Sequence, residues 1–145
     1  MNSITPLFQG KDLERLIPQR SPIIMVDAFY EASENSCQTG LTIREDNLFC
    51  EEGKLLETGV IEHIAQSASA FAGYNALKDN KPTPVGFIGE VKKFQLVSSP
   101  QIGDQLTTHI QILSEIMNVS LLSAETTIDG QCVATCQMKI YIQES

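Results

Sequence analysis

The stretch from Gly59 to Leu77 constrains the fold of this chain more than any other, because it predicts one long helix. It contains no proline, it follows Thr58 as a candidate N-cap, and it ends in the polar residues 78–82, which include Pro82. At about 1.5 Å per residue this helix would be roughly 28 Å long, which is enough to cross a small domain. We therefore expect the rest of the chain to be arranged around it.

Small side chains dominate this helix after its first turns, at Ala65, Ser67, Ala68, Ser69, Ala70, Ala72 and Gly73. Its only ionisable side chains before Lys78 are Glu62 and His63, whereas a surface helix normally carries a charged face. We therefore predict that protein surrounds the helix and that a sheet packs closely against it. A carboxylate in such surroundings is costly unless it is paired or used in chemistry, so Glu62 is the first candidate functional residue.

Length and composition predict a globular protein. A chain of 145 residues predicts one domain over 1–145, and a hydrophobic fraction of 42% is typical of a folded chain. No apolar run reaches the length of a membrane span, and residues 1–5 lack the features of a signal peptide, which predicts a cytoplasmic protein. The formal net charge of -8 argues against nucleic acid as a partner, because phosphate binding relies on excess Lys and Arg.

The four cysteines, Cys37, Cys50, Cys132 and Cys136, do not have the spacing of a metal site. Cys132 and Cys136 fall on one predicted strand about 13 Å apart, which is too far for a disulfide between them. We predict buried free thiols, and neither a metal nor a cofactor.

The residues before the helix predict one hairpin and a loop. Residues 11–17 predict a short helical segment, and 23–30 a largely buried strand. A turn at 34–36 and a returning strand at 37–43 complete the hairpin. Residues 48–57 have no clean periodicity and predict an ordered loop that leads into the helix.

The residues after the helix predict four strands, at 85–96, 105–113, 117–128 and 131–143. Asp129-Gly130, between the last two, is the strongest hairpin signal in the chain. The order of a hairpin, a long helix and a run of mostly antiparallel strands predicts the α+β class.

Three groups of residues match, in order, the motifs of a known family. Leu16-Ile17-Pro18-Gln19-Arg20-Ser21-Pro22 is similar to Leu-x-Pro-His-Arg-x-Pro, and Ile61-Glu62-His63-Ile64-Ala65-Gln66 is similar to Ile-Glu-Ala-Met-Ala-Gln. Phe94-Gln95-Leu96-Val97 and Gly103-Asp104-Gln105-Leu106 resemble Arg-Phe-x-x-Pro-Val-x-Pro-Gly-Asp-x-Leu. These motifs belong to the bacterial β-hydroxyacyl-acyl-carrier-protein dehydratases, and the chain resembles that family over most of its length.

The loop before the helix departs from the family pattern. The family carries a His there in Gly-His-Phe-Pro-Gly, whereas residues 47–53 contain no His and Thr58-Gly59 stands in place of Pro-Gly. In this respect the chain resembles a divergent branch that is associated with aryl-polyene and flexirubin-type pigment clusters. Members of that branch occur as dehydratase-like partners.

The resemblance implies the hotdog fold, in which a curved antiparallel sheet wraps one long helix. It implies a homodimer or a higher even oligomer paired edge to edge, with a heteromer containing a second dehydratase-like subunit as an alternative. It also implies that an acyl thioester, on acyl carrier protein or CoA, binds in a tunnel at the subunit boundary. Glu62 matches the carboxylate that protonates the departing β-hydroxyl, and Gly59 with Val60 lies where the family places N–H donors for the thioester carbonyl.

Glu62 is thus the catalytic candidate, and the substrate-binding candidates are Gly59, Val60, His63, Gln66 and Phe49. His63 is either a substitute base in a site built from two subunits or a packing histidine at an interface. Gln66, one turn after Glu62, either orients the carboxylate or caps a backbone group.

Two further residue types have alternative interpretations. Phe49, Phe71 and Phe87 either line an acyl pocket or belong to the plain core. Cys50 lies in the loop where the family keeps its base and is either a reactive thiolate or an incidental thiol.

The predicted function is that of a (3R)-hydroxyacyl-ACP dehydratase-like protein in fatty-acid or polyene-type biosynthesis. Two alternatives are open, a non-catalytic partner subunit of an active dehydratase and an acyl-CoA or acyl-ACP thioesterase, since thioesterases use the same fold with a carboxylate on the helix.

Overall fold

The computed structural model describes residues 5–143, and its chief element is a seven-stranded antiparallel sheet packed on one long helix. The strands lie in the order β1-β2-β3-β7-β8-β9-β6. In chain order the elements are β1 (Phe8–Gln9), a 3₁₀ helix (Gly10–Arg15), β2 (Ala28–Ala32), β3 (Ser36–Thr42), β4 (Cys50–Glu51), β5 (Lys54–Leu55), α1 (Glu57–Lys78), β6 (Val85–Leu96), β7 (Gln105–Ile116), β8 (Val119–Ile128) and β9 (Gln131–Gln143). The predicted α+β class is confirmed.

The helix begins two residues earlier than predicted, at Glu57. Its N-cap is Leu56, which has extended backbone angles and makes no side-chain capping bond, so the prediction of Thr58 as N-cap is wrong. Thr58 lies inside the first turn, because the chain already turns into the helix directly after Leu55 in β5.

The strand predicted at 23–30 is shifted, since β2 occupies Ala28–Ala32. Residues 23–25 are not paired with another strand, and helix side chains satisfy their backbone groups instead. Gln66 accepts a hydrogen bond from the Met25 N–H at 2.6 Å and donates one to the Ile23 carbonyl oxygen at 2.8 Å. The periodicity of this segment therefore reports burial against the helix, not membership of the sheet.

The strands after the helix follow the prediction closely. β6 and β9 have the predicted bounds, while β7 extends to Ile116 and β8 starts at Val119. The turn between β8 and β9 has positive φ angles at Asp129 and Gly130, 51° and 79°, as a two-residue hairpin turn requires. The predicted loop over 48–57 contains a small hairpin of β4 and β5.

The helix packs against the sheet through β3, β6, β7 and β9. It also lies directly against the segment after the 3₁₀ helix, because a Cβ on Gly73 would come within 1.8 Å of the Leu16 carbonyl oxygen. Most of the helix between Gly59 and Gly73 is buried, in agreement with its content of small side chains. No helix within residues 5–143 is long and apolar enough to cross a membrane.

Candidate functional site

Glu62 lies half-buried in the second turn of α1 and faces a cavity of about 230 Å³ between the helix and β6. The lining residues are Glu62, Ala65 and Ser69 from the helix, Gly86, Phe87 and Ile88 from β6, Ile140 from β9, and Gln19. Two wider clefts of about 580 Å³ each lie elsewhere in the described residues, and none of the predicted site residues lines them. The cavity at Glu62 is therefore the candidate site.

Gln66 holds the Glu62 carboxylate in place. Its Nε2 donates to Glu62 Oε2 at 2.7 Å and also to the Ile23 carbonyl oxygen at 2.8 Å, while its Oε1 accepts from the Met25 N–H at 2.6 Å. The side chain is fully buried, and both amide hydrogens and the amide oxygen are engaged. The two sequence interpretations of Gln66 are thus combined, since it orients the carboxylate and caps backbone groups at once.

His63 points away from the cavity, into the interface between helix and sheet. It is fully buried, its Nδ1 bonds the Met25 carbonyl oxygen at 2.7 Å, and its Nε2 bonds Thr108 Oγ1 at 2.8 Å. Burial lowers the pKa of this imidazole to about 4, against an ordinary value of 6.5. Both ring nitrogens are occupied inside the subunit, so the ring is a neutral structural group and not the packing histidine at a subunit interface that one interpretation described.

The N–H groups of Gly59 and Val60 at the helix N-terminus are not free to bind a thioester carbonyl, in contrast to the expectation from the family resemblance. Both donate to the Leu56 carbonyl oxygen, at 2.9 Å and 3.2 Å. This follows from the helix starting at Glu57, because the third and fourth amides then reach the N-cap carbonyl. Phe49 packs against this turn, with its Cβ only 2.7 Å from where a Cβ on Gly59 would stand, and it does not line the Glu62 cavity.

Of the other aromatic and thiol candidates, one lines the Glu62 cavity and the others do not. Phe71 belongs to the core, whereas Phe87 lines the cavity opposite the helix. Burial raises the pKa of the Cys50 thiol, which favours its uncharged form and thus the incidental interpretation. All four cysteines are free, and Cys37 and Cys136 are buried.

The described lining of the cavity contains a single ionisable group, the Glu62 carboxylate, and no histidine. No cluster of three or more His, Cys, Asp or Glu side chains within residues 5–143 is arranged to hold a metal ion. The site can therefore hold or transfer one proton at Glu62, in a surrounding of mostly small and apolar side chains.

Sequence reasoning missed two polar residues of this cavity, Gln19 and Ser69. Gln19 stands in Pro18-Gln19-Arg20, where the resembled motif has His, and this replacement was the available signal. Ser69 gave none, because it is one of several small residues along the helix and only the packing shows which of them faces β6.

Comparison with known proteins identifies a sequence family that the chain matches over most of its length. Residues 11–145 match the sequence model of the ApeP-like family, described as ApeP dehydratase. The 3-hydroxyacyl-[acyl-carrier-protein] dehydratase FabZ of Staphylococcus epidermidis is 26% identical over 96% of this chain and 98% of its own. FabZ of Vibrio cholerae is 26% identical over 88% of this chain and 87% of its own.

Solved structures show the same fold. A chain of the dehydratase heterocomplex ApeI:P from Xenorhabdus doucetiae superimposes with a TM-score of 0.86 at 16% identity, covering 92% of this chain and 91% of that one. A hypothetical thioesterase with coenzyme A from Streptococcus pneumoniae gives a TM-score of 0.64 at 8% identity, over 81% and 85% of the two chains. The hotdog fold implied by the sequence resemblance is confirmed.

Proposed function

Since the chain belongs to the ApeP-like family of dehydratases, we propose that it takes part in the dehydration of a 3-hydroxyacyl thioester carried on acyl carrier protein. The observation that carries this proposal is the Glu62 carboxylate, fixed by Gln66 and turned toward an otherwise mostly apolar cavity. FabZ relatives, named for this reaction, match the chain over nearly its whole length. We place the reaction in fatty-acid or polyene-type biosynthesis and in the cytoplasm.

The chemistry requires two proton transfers. The bond between C2 and its hydrogen breaks and a base takes the proton, while the bond between C3 and the hydroxyl oxygen breaks and the hydroxyl leaves as water after receiving a proton. A double bond forms between C2 and C3. In its protonated form Glu62 supplies the second proton, and Gln66 fixes the direction in which the carboxyl group points.

A base for the first proton is not found among the described residues that line the cavity. His63 faces the sheet with both ring nitrogens bonded, and it cannot reach a substrate beside Glu62 without leaving those bonds. This favours a site completed by another subunit, and it differs from the alternative of a non-catalytic partner because Glu62 of this chain transfers one of the two protons. A heterocomplex of dehydratase subunits with a closely similar fold supports the same arrangement.

The edge of the sheet at β6 is the surface proposed for subunit pairing. In the part of the chain that the structure describes, β6 pairs only with β9, and it carries the exposed apolar side chains of Val85, Phe87 and Ile88. An unpaired, apolar strand edge is a template for pairing with another chain. Because Phe87 and Ile88 also line the Glu62 cavity, a subunit bound there would stand beside the carboxylate. We propose a dimer across this edge, with itself or with a second dehydratase-like subunit.

The experiment is an assay with a 3-hydroxyacyl-carrier protein, followed at the ultraviolet band of the enoyl thioester. The protein is measured alone and after co-expression with a dehydratase-like subunit that carries the loop His. We expect activity in the second case and a loss of about a hundredfold or more with Glu62→Gln, which keeps the shape but removes the transferable proton. Equal activity of Glu62→Gln and the unchanged protein would contradict the proposal.

The matched control is Glu57→Gln, a carboxylate change at an exposed position in the first turn of the same helix. It should leave activity unchanged. Release of free thiol from acyl-CoA, measured in parallel, tests the thioesterase alternative, which predicts thiol release without enoyl formation.

A further inference from the structure

Two polar atoms in the Glu62 cavity have no hydrogen-bond partner within residues 5–143. They are Gln19 Oε1 and Ser69 Oγ, and both side chains line the same cavity as the carboxylate. Ser69 is only 6% exposed. A buried polar atom without a partner loses its hydration and gains nothing in return, so native proteins contain few of them. Two such atoms in one cavity are therefore available to bond a group from outside the chain.

Ser67 shows how the same helix satisfies a buried serine elsewhere. Its hydroxyl donates to the His63 carbonyl oxygen at 2.8 Å and bonds Thr39 Oγ1 at 2.7 Å. Bonding to the carbonyl four residues earlier is the usual solution for a helical serine. Ser69 makes no such bond, and its hydroxyl is left to the cavity.

The spacing along the helix separates this hydroxyl from the carboxylate. Ser69 follows Glu62 by seven residues, which places both on one helix face about 10 Å apart. Ala65 lies between them, and Phe87, Ile88 and Ile140 form the opposite wall. The cavity therefore has a carboxylate position, an apolar stretch and a second polar position.

We propose that Ser69 and Gln19 form a second polar subsite, which binds a neutral hydrogen-bonding group of the ligand about 10 Å from the group held at Glu62. A hydroxyl or an amide N–H fits, because Gln19 Oε1 accepts and the serine hydroxyl both donates and accepts. The described lining contains no cation that would favour a phosphate. This subsite rests on the proposed function, in that the ligand is an acyl thioester.

Two parts of an acyl thioester can present such a group. One is a polar substituent on the acyl chain, and the other is an amide of the thiol arm. Titration calorimetry with thioether analogues, which do not react, separates them. The first pair of analogues has N-acetylcysteamine as thiol and differs by one hydroxyl on the chain. The second pair has one plain chain and differs in the thiol, pantetheine against N-acetylcysteamine.

We expect the unchanged protein to bind the more polar member of one pair about tenfold more tightly, and Ser69→Ala to lose that preference while still binding the plain member. The pair in which this occurs identifies the source of the polar group. Ser67→Ala, which removes a buried serine facing the sheet, is the matched control and should keep the preference.

Stability provides a second measurement that needs no ligand. Ser69→Ala removes an unpaired hydroxyl and should not lower the midpoint of urea unfolding, whereas Ser67→Ala should lower it. The inference is wrong if Ser69→Ala destabilises as much as Ser67→Ala, or if the unchanged protein binds both members of each pair equally or binds none. Because binding is read without turnover, these results are independent of the Glu62→Gln assay.

Discussion

One short turn of the helix carries both the candidate chemistry and its support. Glu62 faces the cavity and the adjacent His63 faces the sheet, since neighbouring helix positions point in different directions, while Gln66, one turn after Glu62, bonds its carboxylate. His63 and Gln66 both bond the segment at 23–25, which carries no strand pairing of its own. Gln66, which fixes the carboxylate, therefore also ties this segment to the helix, together with His63.

Gln66→Leu should be costly for both stability and activity. It leaves the Met25 N–H and the Ile23 carbonyl oxygen without partners and removes the donor to Glu62. We expect the free energy of unfolding to fall by roughly 3 kcal/mol and dehydration by about tenfold at temperatures where the variant is folded. Urea unfolding and the enoyl assay measure these effects. Gln95→Leu, an exposed glutamine in β6, should change stability by about 0.5 kcal/mol or less.

The buried His63 makes stability depend on pH. Burial lowers its pKa from 6.5 to about 4, so between these values the unfolded chain binds a proton that the folded chain does not. The free energy of unfolding should therefore fall as the pH is lowered from 6.5 to about 4, by about 3 kcal/mol, and this contribution changes no further below that range. Urea midpoints measured across pH 4–7 test this.

Comparison with His63→Gln isolates the contribution of His63 to the pH dependence of the free energy of unfolding. In this variant that part of the pH dependence should be absent. Burial raises the pKa of Asp27, whose effect has the opposite sign and is common to both proteins. His109→Gln, which replaces the exposed histidine of β7, should keep the slope. Parallel pH curves for His63→Gln and the unchanged protein would contradict the assignment.

At the scale of elements, the sequence correctly predicted the strands and turns that are signalled by residues within the element itself. β6 and β9 have the predicted bounds, and the Asp129-Gly130 turn is where the hairpin signal placed it. The shift at residues 23–30 was not predictable, because periodicity reports burial but not whether a strand or a helix side chain satisfies the backbone. The same limit applies to the site, where Glu62 was found as an ionisable residue of a helix predicted to be buried and Gln66 by its spacing of one turn, whereas the role of Ser69 depends on where β6 packs.

Gly73 tests the contact between the helix and the segment after the 3₁₀ helix. Exchange of glycine for alanine inside a helix normally stabilises it by about 1 kcal/mol. Here the new Cβ would stand 1.8 Å from the Leu16 carbonyl oxygen, and backbone cannot move aside as a side chain can. We expect Gly73→Ala to lower the free energy of unfolding by about 2 kcal/mol or more.

Thermal and urea unfolding measure this change in Gly73→Ala. Asn75→Ala, at an exposed position of the same helix, should be neutral or slightly stabilising. A higher unfolding midpoint for Gly73→Ala than for the unchanged protein would show that the helix does not approach Leu16 so closely.

Within residues 5–143 the sheet has one long free edge, and the candidate site lies next to it. The opposite edge of the sheet is β1, a strand of only two residues, whereas β6 has twelve. Since Phe87 and Ile88 belong both to the cavity wall and to this edge, pairing there and completion of the site are expected to occur together.

Val85→Asp changes the edge proposed for subunit pairing without changing the lining of the Glu62 cavity. Val85 lies on β6, is 40% exposed and does not line that cavity. In the proposed dimer a second subunit would have to bury a carboxylate at this edge, so we expect the dissociation constant of that dimer to rise at least about tenfold, together with a loss of enoyl formation. Light scattering over a dilution series measures the molecular mass of the assembly.

Met117→Asp, at a turn residue that is 94% exposed, is the matched control and should leave the proposed dimer intact. Dissociation by Met117→Asp but not by Val85→Asp would move the interface to the β7–β8 turn, and activity retained by a monomeric Val85→Asp would show that the site is complete within one chain.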